Sequence, residues 1–238
     1  ARTLATLTHS GIGAVHYVRQ IPESGMTAIC MPLTSRSTLN DVLRRAAGQS
    51  ERPTSASLVW DEIKTRNSIS SAVPAWASKS FATWARDLMS NLAEALAASH
   101  AQNIVHCDLK PTNVLVTAEG KPTLVDFNVA FRQNAVASPA NVGGTLPYMA
   151  PEQIRAFAGE GYSSIGPQTD VYGLAATIYE LLTGRLPFGA APPADDGVLM
   201  LLERRRERPK SIRLTNPQVS PEFDRLILEC LSKYRKKE

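Results

Sequence analysis

The chain has 238 residues, of which 43% are hydrophobic, so it can bury a sizeable core in one large domain or in two lobes. Its three cysteines lie far apart and form no CxxC or histidine-spaced pattern, which argues against a disulfide framework or a zinc site. No apolar run reaches the length of a membrane span and the first residues lack a signal-peptide core. We therefore expect a soluble, cytoplasmic protein, and an anchor outside this chain is left open.

The formal charge of +4 reflects basic residues that cluster towards the C-terminus. Because aromatic residues are not interleaved with these charges, we interpret the clusters as solvated helix faces and expect no nucleic-acid partner. The two clusters are Arg204, Arg205, Arg206 and Arg208, and Lys233, Arg235, Lys236 and Lys237.

The first elements predicted along the chain are a helix end and a hairpin. Residues 1–8 have the apolar spacing of the last turns of a helix, which the sequence HSGIG ends. Two β-like runs at 14–18 and 26–31, joined by the turn-forming PESG, predict a hairpin. The sequence STLNDVLRRAA then predicts a short helix. Residues 48–80 show no sustained period, and we interpret them as an irregular insertion with one short helix.

The rest of the chain is predominantly helical in pattern. The range 81–100 predicts a long helix with a small-residue packing face. The sequences NVLVT and PTLVDF predict two short strands around the turn AEGK, and 131–147 is a loop rich in Gly, Pro, Ser and Asn. A buried helix is predicted at 169–184, with a Thr-Asp start and a glycine end. Two further helical stretches are expected at 197–207 and 221–233.

Four polar residues in and after the sequence IVHCDLKPTNVLV have the chemistry of phosphoryl transfer. Asp108 can orient a hydroxyl, and Lys110 can reach the phosphate that moves. Asn113 and Asp126 supply the amide and carboxylate oxygens that Mg²⁺ prefers. A single Asp or Lys in a loop is most often a turn former or a solvated charge. The ordered set of HxDxKxxNxL, a hairpin and DF is far more specific than any one of these residues.

The chain here resembles the eukaryotic-type protein kinase family, which is also common in bacteria. HCDLKPTNVLV is similar to its catalytic loop, VDFN to its metal-binding DFG segment, and GTLPYMAPEQ to the end of its activation segment. TDVYGLAATIYELLTGRLPF is similar to the central buried helix of the large lobe. The resemblance covers nearly the whole chain except 48–80. It implies an α+β, protein-kinase-like fold, mainly the helical large lobe.

The resemblance implies a role for each matching residue. Asp108 would be the catalytic base, Lys110 the lysine that contacts the phosphate, and Asn113 and Asp126 the Mg²⁺ ligands. A lysine at position 110 and a threonine at Thr145 go with serine and threonine acceptors in this family. The implied function is transfer of the ATP γ-phosphate to Ser/Thr hydroxyls of protein substrates.

The resemblance also implies where the nucleotide binds and how the chain is divided. Residues 1–31 match the last part of the small lobe, 32–36 the linker between the lobes, and 37–238 the large lobe, which stops near its C-terminal end. Asp170 matches the aspartate that hydrogen-bonds the catalytic-loop backbone. The residues expected around adenine are Met31 as gatekeeper, Leu33 and Thr34 through their backbone groups, and Leu115 beneath the ring.

The sequence departs from the family pattern in three places. The glycine-rich loop, the nucleotide lysine and its glutamate partner are absent from this sequence, so we expect the given polypeptide alone to be an essentially inactive fragment. Cys107 stands where an arginine usually docks a phosphate of the activation segment. We interpret it as activation without loop phosphorylation, with a dead enzyme or a redox switch as alternatives. Asn128 replaces the DFG glycine, and Asn tolerates left-handed backbone geometry.

Two alternative functions stay open at this point. A pseudokinase or scaffold would keep the fold without catalysis, although a scaffold has no physical need for four polar residues at one site. A small-molecule phosphotransferase would share the HxD and the second Asp. The APE stretch and Thr145, which build a platform for a peptide substrate, favour protein substrates instead. The sequence carries no information on the oligomeric state.

Overall fold

The computed structural model describes residues 7–21, 24–127, 131–132, 144–190 and 197–232. In these ranges the protein is α+β, with helices packed around a core and three short antiparallel strand pairs. The strands are β1 Tyr17–Ile21, β2 Met26–Cys30, β3 Ile104–Val105, β4 Val114–Val116, β5 Pro122–Leu124 and β6 Phe131–Arg132. The helices are α1 Leu39–Ala47, α2 Ser57–Asn67, α3 Phe81–His100, α4 Pro151–Phe157, α5 Pro167–Thr183, α6 Gly197–Arg204 and α7 Pro221–Ser232.

The N-terminal hairpin is present, but its first strand lies later than predicted. β1 begins at Tyr17 rather than at residue 14, and it pairs with β2 so that Ile21 lies opposite Met26. Part of the chain before β1 contacts β5, since the Gly13 N–H donates to the Leu124 carbonyl at the end of β5. Most of the helix end predicted at 1–8 lies outside the described residues.

Helix α1 and the insertion after it are joined by polar contacts. Thr38 caps α1 in a capping box with Asp41. The insertion contains one regular α-helix, α2, as predicted. From α2, Arg66 contacts the carboxylate of Asp41 at 2.8 Å and that of Glu62 at 2.6 Å. Asn67 accepts the N–H of Arg36 at 2.9 Å, so the insertion is fastened to the segment that precedes α1.

The centre of the core is the packing of α3 against α5. Helix α3 has the predicted bounds, and its Trp84, Leu88, Leu92 and Leu96 are buried. Helix α5 begins at Pro167, two residues before the predicted start. The reason is that Thr169 lies inside the first turn, where its hydroxyl accepts the Gly166 N–H at 3.2 Å. The helix ends as predicted at Gly184, whose φ of 71° is the left-handed geometry that favours glycine.

The strand pairs β3–β6 and β4–β5 bracket the polar loop that lies between β3 and β4. This confirms the two strands predicted around AEGK. Helices α6 and α7 start where the pattern predicted, and α6 ends at Arg204. Within the described part of the chain, no helix combines the length and the apolar character needed to cross a bilayer.

One member of the predicted solvated cluster is not solvated. Arg205, directly after α6, has only 6% of its surface exposed. Its neighbour Arg206 does conform to the prediction, since its side chain is 72% exposed and pairs with Glu203. The charge pattern alone could not separate these two arginines, because burial depends on the elements that pack over the end of α6.

Candidate active site

The polar loop between β3 and β4 is held at its C-terminal end by backbone hydrogen bonds. It leaves β3 at Val105 and re-enters regular structure in a 3₁₀ turn at Pro111–Asn113. The Asn113 N–H donates to the Lys110 carbonyl at 3.0 Å, and the Asn113 carbonyl accepts the Val125 N–H at 2.9 Å. The loop therefore has a fixed shape next to the end of β5.

The carboxylate of Asp108 accepts hydrogen bonds from three side chains. Lys110 Nζ lies 2.7 Å from Oδ2, and Thr145 Oγ1 lies 2.9 Å from Oδ1. Asn113 Nδ2 donates to Oδ2 at 3.1 Å and to the Asp108 carbonyl at 2.9 Å. Lys110 also donates to Thr145 Oγ1 at 2.8 Å, so Asp108, Lys110 and Thr145 form a closed triangle. The carboxylate is oriented in advance and its side chain is 10% exposed.

Asn113 and Asp126 present oxygen atoms on neighbouring segments. Because the amide nitrogen of Asn113 is committed to Asp108, its Oδ1 is left as an acceptor, and the Thr112 hydroxyl donates to it at 3.4 Å. Asp126 follows Val125, is exposed, and has a left-handed φ of 64°. Within the described residues its carboxylate accepts no hydrogen bond. An amide oxygen and an unengaged carboxylate are suitable ligands for Mg²⁺.

These two groups do not by themselves enclose a metal ion. No cluster of three or more His, Cys, Asp or Glu side chains able to hold a metal is found in the described ranges. Mg²⁺ keeps much of its coordination for water and for substrate phosphates, and one or two protein ligands suffice for it. The donor set therefore fits a metal that arrives with a phosphate ligand rather than a closed structural site.

Asp170 is the buried anchor beneath the loop. Its carboxylate accepts the N–H groups of His106 and Cys107, both at 2.8 Å, and it is 1% exposed. His100, the last residue of α3, places Nε2 2.7 Å from Oδ2 of the same carboxylate. Helices α3 and α5 are thus joined to the loop through one side chain. The sequence predicts the bonds between Asp170 and the loop backbone, but not the contact with His100.

The ring of His106 holds the loop against β5. Its Nδ1 accepts the Asp108 N–H at 3.2 Å, so Nε2 carries the ring proton and donates to the Val125 carbonyl at 3.1 Å. The ring also packs against Phe127, with 4.4 Å between the ring centroids. His106 therefore fixes the position of Asp108 relative to the segment that contains Asp126.

Cys107 lies in a strained part of the backbone. Its φ is 66°, a left-handed value that costs a non-glycine residue about 1–2 kcal/mol. Gln153 Nε2 donates to its carbonyl at 2.6 Å, while Asp170 accepts its N–H, so both adjoining peptide groups are held. Gly144 approaches the same carbonyl so closely that an added Cβ would lie 3.1 Å from it. The Cys107 side chain itself is buried in an apolar cluster with Val105, Ala156 and Ile165.

One buried and one partly buried carboxyl group, those of Glu152 and Glu180, lie near the segment that follows Thr145. Glu152 accepts the Thr169 hydroxyl at 2.7 Å, and Glu180 accepts the Tyr148 hydroxyl at 2.6 Å. Burial raises the pKa of both carboxyl groups. Burial, followed by the bond to Glu180, also raises the pKa of the Tyr148 hydroxyl. Within the described residues, Oε2 of Glu152 has no hydrogen-bond partner.

The residues predicted to surround adenine lie along the segment after β2 and on β4. Met31 is partly buried, and its methyl group would lie 2.9 Å from a Cβ added to Gly13. Leu33 is 74% exposed. The Thr34 N–H donates to the Pro32 carbonyl at 3.1 Å, which leaves the Thr34 carbonyl for another partner. Leu115, on β4, is partly buried next to Thr38.

The structure brings four of the predicted catalytic residues into direct contact: Asp108, Lys110, Asn113 and Thr145. Asp126 joins them only through the backbone of its neighbour Val125. The position of Asn128 lies outside the described residues. Sequence reasoning missed the contacts of His100, His106 and Gln153. Only the HxD spacing pointed to His106, and no local pattern pointed to the others.

The sequence of this chain is similar to a known protein family and to several bacterial proteins. The sequence matches the profile of the family described as protein kinase domain over residues 2–237. It is 34% identical over 144 residues to a probable serine/threonine-protein kinase of Streptomyces coelicolor, covering 59% of this chain and 20% of that protein. It is 33% identical over 151 residues to the serine/threonine-protein kinase PknB of Mycolicibacterium smegmatis, covering 62% and 23%.

A longer match is found with the serine/threonine-protein kinase PknA of Mycobacterium tuberculosis. The identity is 31% over 214 residues, which is 88% of this chain and 40% of PknA. The matched region thus spans between 20% and 40% of the length of these relatives.

Proposed function

We propose that this chain, which belongs to the protein kinase domain family, carries the catalytic site of a protein serine/threonine kinase. The observation that carries the proposal is the closed triangle of Asp108, Lys110 and Thr145. A carboxylate held in this way can accept a proton, and the adjacent ammonium group can neutralise a phosphoryl oxygen. The names of the bacterial relatives, which are serine/threonine-protein kinases, support the same acceptor class.

The reaction proposed is in-line transfer of the γ-phosphoryl group of ATP to a Ser or Thr hydroxyl of a protein. The hydroxyl oxygen forms a bond to the γ-phosphorus, the bond from that phosphorus to the bridging oxygen breaks, and ADP leaves. Asp108 orients the hydroxyl and takes its proton. Lys110 stays beside the transferring group and lessens its negative charge, while Thr145 keeps the carboxylate and the ammonium in register.

The metal site proposed for this reaction consists of Asn113 and Asp126. Asn113 would bind through Oδ1, because its Nδ2 is bonded to Asp108, and Asp126 would bind through its exposed carboxylate. When bound, Mg²⁺ supplies positive charge to the phosphate oxygens and fixes their orientation. His106 fixes the two ligand segments relative to each other through Val125.

On the same proposal the nucleotide base lies against the segment between β2 and α1. Met31, Leu33 and Thr34 would border adenine and Leu115 would pack beneath it. Residues 32–36 would then be the linker, residues up to 31 part of the small lobe, and 37–238 the large lobe. Asn67 would steady the end of this linker by accepting the Arg36 N–H.

The metal requirement tests the proposed function. Protein expressed from the complete open reading frame is expected to transfer labelled γ-phosphate to a protein acceptor with Mg²⁺, and to lose this activity when the metal is removed by EDTA. Asp126→Asn should raise the Mg²⁺ concentration for half-maximal rate by roughly tenfold or more, because a charged ligand becomes neutral. Asp61→Asn, on the exposed face of α2, is the matched control and should leave that concentration unchanged.

A transfer rate independent of Mg²⁺, or an Asp126→Asn variant with the wild-type metal requirement, would contradict the assignment of the metal ligands. Nucleotide binding without any transfer would favour the pseudokinase alternative instead.

A further inference from the structure

Arg205 is a buried cation that the proposed reaction does not use. It follows α6 directly and is 6% exposed. Its guanidinium donates to four backbone carbonyls: Nε to Met149 at 2.9 Å, Nη1 to Leu201 at 3.2 Å, and Nη2 to Leu146 at 2.8 Å and to Pro147 at 3.2 Å. Three of these carbonyls belong to one short segment, residues 146–149.

The surroundings of Arg205 contain aromatic rings in place of an anion. Cζ lies 5.9 Å from the ring centroid of Tyr172 and 5.7 Å from that of Phe188, and the two rings are stacked with 8° between their planes. No carboxylate of the described residues lies within ion-pair distance of it, and burial lowers the pKa of the guanidinium. A buried charge without an anionic partner is costly, and the carbonyls and ring faces offset that cost.

The segment that Arg205 holds is the direct continuation of Thr145. Leu146–Tyr148 is a 3₁₀ turn that begins one residue after Thr145. Thr145 Oγ1 contacts both Asp108 and Lys110, so any shift of the turn is transmitted to the carboxylate and the ammonium. We call residues 145–149 the acceptor platform, because Thr145 contacts Asp108 and the segment therefore borders the proposed site of the acceptor hydroxyl.

Apolar packing alone brings α6 to the platform without fixing its carbonyls. Leu201 is buried together with Met149 and Ile154, and Leu146 packs against the same cluster. Such contacts are not directional, so the turn could rotate on them. The planar guanidinium, with donors at fixed angles, specifies the orientation of the turn carbonyls.

We propose that Arg205 is a positioning residue for the protein acceptor: it sets the orientation of the acceptor platform and, through Thr145, the geometry at Asp108. This inference rests on the proposed function and adds to it the element that shapes the acceptor site. Lysine cannot replace the arginine fully, because a single ammonium cannot donate in the directions of four carbonyls at once.

The test compares Arg205→Met and Arg205→Lys with the matched control Arg206→Met in protein from the complete open reading frame. The neighbouring Arg206 is 72% exposed and pairs with Glu203, so Arg206→Met removes the same kind of side chain from the surface rather than from a buried position. Rates are measured at varied concentrations of ATP and of a protein acceptor, and the thermal midpoint of each variant is recorded. Arg205→Met should raise KM for the acceptor about tenfold and leave KM for ATP within about twofold.

Arg205→Lys should fold and give a smaller rise of acceptor KM, about threefold, which keeps the proposal testable if Arg205→Met does not fold. Arg206→Met should match the wild type. An Arg205 variant that is folded and has an unchanged acceptor KM overturns the proposal, as does a parallel rise of both KM values, which a purely structural defect would give. Absence of transfer by the wild-type protein would instead refute the proposed function, so the two failures are distinguishable.

Discussion

Replacing Asp108 by Asn is expected to lower kcat for phosphate transfer by about 10³-fold, within the range that a positioned general base contributes. The substitution removes the carboxylate that we propose accepts the hydroxyl proton. It leaves the loop intact, since an amide oxygen can still accept from Lys110 and Asn113, and the amide nitrogen can donate to the Thr145 hydroxyl once that hydroxyl rotates. The measurement is the initial rate of labelled γ-phosphate transfer at saturating ATP and acceptor, with the unfolding midpoint recorded in parallel.

Asp61→Asn is the control for this variant, because Asp61 lies on the exposed face of α2 and the change in charge is the same. Its kcat should equal that of the wild type. If Asp108→Asn kept kcat within about threefold of the wild type, Asp108 would not be the base, and transfer would depend on orientation by the remaining groups.

The second large effect is expected for Asp170→Asn, which should lower the free energy of unfolding by about 3 kcal/mol. The carboxylate accepts from the N–H groups of His106 and Cys107 and from His100, and an amide in its place turns a donor towards at least one of them. Where the amide nitrogen takes the place of Oδ1, the left-handed Cys107 loses the acceptor of its N–H; in the other orientation His106 and His100 lose theirs. Because the polar loop that contains Asp108 then shifts, kcat per folded molecule should also fall, by about 100-fold.

Asp224→Asn separates the stability effect from the catalytic one. Asp224 on α7 is also buried, at 8% exposure, and accepts the Ser211 hydroxyl and the Ile212 N–H, both at 2.8 Å. It is therefore expected to destabilise the protein to a similar degree while kcat per folded molecule stays at the wild-type value. Denaturant unfolding and active-site-normalised rates give both quantities. Equal losses of kcat in the two variants would mean that Asp170 acts on folding alone.

Much of the candidate site is readable from local spacing. Asp108, Lys110 and Asn113 lie within one loop whose flanking strands also leave local patterns, so their proximity follows from the sequence. Helix α3 was predicted to the residue because its apolar period runs unbroken from Phe81 to His100. These features are set by neighbours along the chain.

The features that sequence reasoning missed depend on partners far along the chain. Gln153 bonds to the carbonyl of Cys107, 46 residues away, and His100 bonds to Asp170, 70 residues away. Neither pair leaves a periodic signal. The charge pattern groups Arg205 with solvated arginines, yet three of its four acceptor carbonyls lie on residues 146–149 of the platform. Such long-range bonds appear only when the fold is known.

The predicted starts of β1 and α5 differ from the observed ones for local physical reasons. The hairpin begins later than its apolar run. The Gly13 N–H donates to β5 instead, and the pairing of β1 with β2 places Ile21 opposite Met26. Helix α5 began earlier than its Thr-Asp signal, because Pro167 suits the first turn and Thr169 bonds back to Gly166. In both cases the sequence pattern indicates the correct element, β1 or α5, but not the residue at which that element begins.

The most direct test of the central claim is to identify the residues that receive the phosphate. The protein from the complete open reading frame is incubated with ATP, Mg²⁺ and a mixture of protein acceptors, and phosphorylated residues are assigned by mass spectrometry. Phosphoserine and phosphothreonine should appear, and they should fall to background with Asp108→Asn. Phosphotyrosine alone, or phosphorylation that does not exceed that of Asp108→Asn, would contradict the proposed protein serine/threonine kinase site.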